Sequence, residues 1–280
     1  VHISTSSCLV YFISCIGVRK IIIRKFEFCS AEMRTFLSLA LLSVLGASLA
    51  LPVDPPMEDP ELNPLLRVSQ RNGVRDSDRR WPNGIVYYKF WNGFDNDRKT
   101  FIKGAMKSLE DVSCIRFVEA GADQPYFVNI TGSSGTCNRT VPSTVGFEKG
   151  ITSCNIPGTI TSYCYTLGRI QHELFHVLGF YHLQQIYNRD DYVRIVNENI
   201  IKGREYSFTK FSKDLVDDFG VEYDYGSIMH SSPDANGKNS KDTIVPLQKI
   251  PKGLMGQREV LQQSDIIKLN RMYECTVCED

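Results

Sequence analysis

The segment from Gln171 to His182, QHELFHVLGFYH, constrains this chain more than any other stretch of it. His172 and His176 stand four residues apart, so on a helix both imidazoles leave the same face and can share one ion. Glu173 adjoins them. Leu174, Phe175, Val177 and Leu178 fill the other faces, which predicts a helix packed into a domain and holding its polar residues on a rigid element. Gly179 can adopt a backbone conformation closed to other residues, so the chain can turn there and bring His182 back as a third ligand.

Three neutral imidazoles leave one position of a tetrahedral zinc open to water, whose pKa the metal lowers to about 7. Glu173 would take the proton of that water and pass it to a leaving amine, the acid-base work that peptide-bond hydrolysis requires. A chance HExxH on an ordinary helix is the competing account. Against it, three of the chain's five histidines, a glutamate and a turn glycine fall within these few residues. A structural zinc site would close with four protein ligands, often cysteines, and leave Glu173 without a task.

The 280 residues, 42% of them hydrophobic, suffice for a real core. With 32 basic against 32 acidic residues there is no global field for nucleic acid or an anionic membrane. Met33 to Ala50, MRTFLSLALLSVLGASLA, has the anatomy of a signal peptide, and its apolar run from Phe36 falls short of the roughly 20 residues of a membrane span. A secreted protein without a membrane anchor is expected. Residues 1–32 carry no methionine and read as upstream translation, 33–50 as the signal peptide, and the Pro- and acid-rich 51–71 as a pro-segment. Beyond the signal lie six cysteines, an even number suited to an oxidising compartment, and the acceptor sequons at Asn129 and Asn138.

A strand is predicted over Ile85–Phe90 after the turn WPNG. A helix capped by Asp95 or Asn96 should bury Phe101, Ile102, Ala105, Met106, Leu109 and Val112. CIRFVEA and PYFVNIT read as strands, and residues 131–162 as loops with at most a short strand at Val145–Phe147. The metal-binding helix covers Ile170–Leu178, and a last helix starts at Ser264.

The extended motif HExxHxxGxxH is that of the metzincins, and FYH with RDDYV at Arg189–Val193 resembles the astacin family in particular. RWPNGIVYY, VSCIRFV, DYGSIMH and GQREVLQQSDIIKLNRMYEC resemble astacin segments in the same order, over most of Arg80 to Cys275. The resemblance implies a two-lobed α/β (α+β) zincin-like catalytic domain over 72–280. A twisted mixed sheet and two long helices would form an upper lobe (72–182), above an irregular lower lobe (183–280) with a C-terminal helix. It implies one catalytic zinc ion on His172, His176 and His182, Glu173 as general base, and Met229 as the Met-turn beneath the metal. Disulfides carry over as Cys114–Cys275 and Cys137–Cys164, with Cys154 and Cys278 either bridged to each other or free. The resemblance further implies a zymogen cut after Arg71 by an activating protease, protein or peptide substrates, and a monomer.

Two positions depart from the family pattern. Ser231 stands where a tyrosine commonly supplies an oxyanion donor, so turnover is expected to be reduced about a hundredfold or more. A secreted zinc-binding protein with little or no activity is therefore the alternative function. Leu183 replaces a glutamate that helps hold the mature N-terminus, which predicts that Asn72 and its neighbours stay mobile after cleavage.

Overall fold

The computed structural model describes residues 72–132, 143–156, 158 and 165–276, together with two short strands, β1 (Cys15–Ile16) and β2 (Arg19–Lys20), that pair antiparallel. The signal peptide and pro-segment readings, Cys137, Cys164, Cys278 and Asn138 lie outside the described residues.

From Asn72 the chain forms β3 (Gly73–Val74), and Trp81 then anchors the upper core at 1% exposure, its indole N–H donating to the Val177 carbonyl at 2.9 Å. Asn83 and Gly84 both take positive φ, which turns the chain into β4 (Ile85–Phe90). Along β4 the period-2 alternation buries Val86 and Tyr88. Helix α1 (Asn96–Glu110) is capped by Asp95, which accepts from the Arg98 N–H at 2.8 Å. It buries Ile102, Ala105, Met106 and Leu109, four of the six positions its periodicity predicts, while Phe101 is half-buried.

Strands β5 (Arg116–Glu119), β6 (Phe127–Thr131) and β7 (Ile151–Asn155) join β4 in the order β5-β4-β6-β7. The expected mixed sheet is parallel in all three of its described ladders, and α1 supplies the crossover from β4 to β5 that a parallel pair needs. The strand expected at Val145–Phe147 is a turn. Gly146 sits at φ +78° with its N–H on the His176 carbonyl, and the strand forms at Ile151–Asn155. Ile151 faces outward at 67% exposure, which blurred the alternation that would have marked β7. Asn129 lies half-buried inside β6, an interior strand, and not in the surface loop a sequon favours.

Helix α2 (Leu167–Val177) carries the motif and packs on α1, where Gln171 donates to the Ser108 hydroxyl at 2.9 Å. After it a second apolar core gathers Leu183, Ile186, Val193, Phe208, Tyr223 and Ile244. Here β8 (Val193–Ile195) pairs antiparallel with β10 (Ile244–Pro246), and β9 (Val216–Asp217) pairs with β3. Helix α3 (Gln263–Met272) starts one residue before Ser264. Gln262 is its cap in a capping box with Asp265, and the Ser264 hydroxyl donates to Asp224 instead.

The expectation of a mobile Asn72 concerns the chain after cleavage at Arg71, and the structure is that of the uncut chain. In the uncut chain Asn72 is 1% exposed, donates its N–H to Asp217 O at 2.8 Å and accepts from Tyr181 N–H at 3.0 Å. Gly73 beside it admits the close approach of Phe219, Met272 and Phe180, where a Cβ would meet the Phe219 ring at 2.7 Å. Backbone pairing holds this segment in the uncut chain, and Leu183 is buried in the second core.

The Cys114–Cys275 disulfide forms as implied, joining the end of α1 to the end of α3 across 161 residues. In the chain-entropy picture a loop of that size restricts the unfolded state by about 5 kcal/mol. Cys154, in β7, is a buried free thiol. No helix among the described residues is long and apolar enough to cross a membrane.

Candidate metal centre

His172 and His176 leave one face of α2, as their spacing requires, with ring centroids 4.7 Å apart. Thr166 caps the helix by accepting from the Arg169 N–H, and Leu174, Phe175 and Val177 bury its other faces. The helix ends because Gly179 takes φ +106°, in a space where a Cβ would meet Val74 at 2.7 Å. The turn carries Phe180 back over the helix end and delivers His182 to within 4.7 Å of the His176 ring.

One ligand atom from each of the three imidazoles lies within 4.8 Å of the others. His172 and His182 approach through their Nε2 atoms at 3.3 Å. Two ligands on a tetrahedral zinc at about 2.0–2.1 Å stand about 3.3 Å apart, so this spacing fits the ion. The second ring nitrogens fix the tautomers. His172 Nδ1 donates to the Ile228 carbonyl at 2.8 Å and His176 Nδ1 to the Phe180 carbonyl at 2.7 Å, which leaves each Nε2 a lone pair aimed at the centre. Burial drives all three histidines toward the neutral form, His176 down to about 4 and the other two well below their ordinary value. Neutral, oriented imidazoles are what a divalent metal needs.

Glu173 is the half-buried residue in an otherwise buried run from Ile170 to Phe180. Burial pushes its carboxyl up to about 7, against the Ser143 hydrogen bond and the charges of Arg258 and Arg169. Ser143 donates to Oε2 at 2.5 Å. Arg258 is held by its bonds to the carbonyls of His230 (3.0 Å) and Gln257 (2.7 Å).

Met229 is fully buried in the turn Ser227–His230, directly after the carbonyl that orients His172. That turn is fixed from α3: Asp265 accepts from the Ser227 hydroxyl at 2.6 Å and the Ile228 N–H at 2.9 Å. Lys268, 2% exposed, adds its charge to Asp265, Asp218 and Asp224. Asp265→Ala would strand two buried donors, each costing about 1–3 kcal/mol, so it is expected to lower unfolding free energy by about 2–6 kcal/mol. Urea unfolding with the disulfide intact measures this; a change below about 1 kcal/mol would contradict it.

Ser231 is half-buried, and its N–H donates to Gln184 Oε1 at 3.1 Å. Sequence reasoning misses Ser143, Arg258 and Asp265. Each is brought to the centre by a segment remote from the motif, and none carries a spacing signal of its own.

A sequence profile of the peptidase family described as Astacin matches residues 73–274. The zinc metalloproteinase nas-13 of Caenorhabditis elegans is 32% identical over 206 residues, 74% of this chain and 43% of that protein. The low choriolytic enzyme of Oryzias latipes is 37% identical over 201 residues, 70% of this chain and 69% of that enzyme. Among solved structures, the high choriolytic enzyme 1 of the same fish, a hatching enzyme zinc-protease, superposes with a TM-score of 0.60 at 33% identity, covering 70% of this chain and 93% of that one. The chain thus spans less than half the length of some relatives it matches.

Proposed function

The chain belongs to the astacin family of zinc-dependent peptidases, and from that premise we infer that it is a secreted endopeptidase that hydrolyses protein or peptide substrates with Glu173 as general base. The observation that carries the reading is the grouping of His172, His176 and His182 with Glu173 beside them on the same helix. When bound, zinc supplies Lewis acidity that polarises a carbonyl and acidifies water. The residues do the rest. The Nδ1–carbonyl bonds of His172 and His176 hold the rings in register, and the family resemblance gives Met229, which is fully buried, the place beneath the metal. Glu173 removes a proton from the attacking water and returns it to the leaving nitrogen. A carboxyl whose affinity for protons lies near neutrality suits both transfers.

Secretion is supported by the signal-like Met33–Ala50 segment and by a disulfide of the kind that persists in oxidising compartments. On the same reading the chain is made as a zymogen, cut after Arg71 by an activating protease, and acts as a monomer. A second disulfide, Cys137–Cys164, and a sugar at Asn138 belong to the reading as well. The half-buried, mid-strand position of Asn129 argues against a sugar there.

The test is purified mature protein on an unfolded protein substrate. Fragmentation is expected, and its absence at micromolar enzyme over hours would overturn the reading. Ser231→Tyr belongs in the same assay. A restored phenolic oxyanion donor is expected to raise kcat by about a hundredfold, and an unchanged rate would show that the serine costs nothing. The alternative of a non-catalytic zinc binder has only Ser231 in its favour.

A further inference from the structure

We propose that Ser143 is a positioning residue that selects which oxygen of Glu173 carries the proton. The inference rests on Glu173 being the base. Ser143 is 6% exposed and belongs to the sheet side of the site, not to α2. Thr144 N–H donates to Ser153 O at 2.8 Å, and Ser153 N–H donates to Thr144 Oγ1 at 3.2 Å, so the segment is tied to β7 on both sides. The Asn155 N–H donates to Ser143 Oγ at 3.3 Å. An amide N–H can only donate, so the hydroxyl must accept there, and its single proton is directed to Glu173 Oε2 at 2.5 Å.

The Cys154 thiol is a further polar neighbour of Ser143 among the described residues, and it is a weak hydrogen-bonding partner beside a carboxylate. Oε2 is thereby engaged, and no described residue bonds Oε1. Partial rotation of the carboxylate about its last bond breaks the Ser143 bond, and a half-turn restores it with the two equivalent oxygens exchanged, so one oxygen always faces Ser143 and the other faces away. Ser143 therefore leaves Oε1 as the oxygen that takes up and returns the proton, and ties its orientation to the sheet. A base held in one orientation has the reacting geometry before substrate arrives.

The experiment compares wild type, Ser143→Ala, Ser143→Thr, Glu173→Ala and the double variant Ser143→Ala/Glu173→Ala on a peptide substrate, with zinc content and melting temperature measured for each. Ser143→Ala is expected to lower kcat about 10- to 100-fold with KM within about twofold and zinc content at one equivalent. Ser143→Thr, which keeps the hydroxyl, should recover most of the loss. In the Glu173→Ala background, removing Ser143 should cost nothing further. Wild-type kcat in Ser143→Ala, no recovery in Ser143→Thr, or an additional loss in the double variant would each overturn the proposal. Should Ser143→Ala fail to fold, Ser143→Cys keeps the volume with a weaker donor and carries the same expected loss. If Glu173→Ala itself remains fully active, it is the assignment of the base that falls. An inactive Glu173→Ala beside an unimpaired Ser143→Ala would remove the positioning role alone.

Discussion

Removal of the metal by dialysis against a chelator is expected to abolish cleavage of an unfolded protein, and zinc added back in slight excess is expected to restore it. Three imidazoles, two buried and one half-buried, converge, and the two carbonyls on His172 and His176 Nδ1 leave their Nε2 atoms as acceptors without a proton to share. The 3.3 Å approach of His172 Nε2 to His182 Nε2 is the separation of two ligands on one tetrahedral ion. Metal binding by the folded state alone also stabilises it, by about 4 kcal/mol when free zinc exceeds its Kd a thousandfold. The chelated protein should therefore melt at lower temperature as well as lose activity, and both changes should reverse together. Undiminished cleavage by protein shown to be metal-free would take zinc out of the reaction.

The sequence made the centre legible because its parts are local. His172, Glu173, His176, Gly179 and His182 lie on one helix and the turn after it, so the rule of four residues per shared face and the freedom of one glycine predict their geometry. The structure places all five as expected. Helix α1 was legible for a related reason. Its buried stripe is regular, and Asp95 supplies a cap of ordinary type.

What could not be read is what arrives from far along the chain. Ser143 reaches Glu173 across 30 residues, and Asp265 reaches Ile228 across 37. A serine in a polar stretch and an aspartate near a helix start look the same wherever they end up, because hydrogen bonds have no period. The misplaced strand has a similar origin. Val145 and Phe147 are apolar at alternate positions, yet they flank a left-handed glycine whose N–H is taken by the end of α2. Asn72 shows the opposite limit. Its place in the uncut chain is set by a main-chain ladder with β9, which needs no particular side chain, and composition is silent about it.

Glu173→Gln is expected to lower kcat by about 10²- to 10⁴-fold, the usual contribution of a positioned general base, while zinc content stays at one equivalent. The amide has the shape of the carboxylate and its oxygen can still accept from Ser143, so the site keeps its packing and loses only the capacity to hold a proton. The fold itself gains by the change. Burial pushes the Glu173 carboxyl up to about 7, which means that the charged form is held in the folded chain at a cost, and a neutral amide removes that cost. The melting temperature of the chelated variant should match or exceed that of chelated wild type, the reverse of what a folding defect produces. Zinc analysis, melting and kinetics on one preparation measure all three quantities. A glutamine variant that cleaves within about tenfold of wild type would show that the proton goes elsewhere, and Arg258, whose guanidinium hangs from the His230 carbonyl, cannot be that acceptor because it has no lone pair to offer.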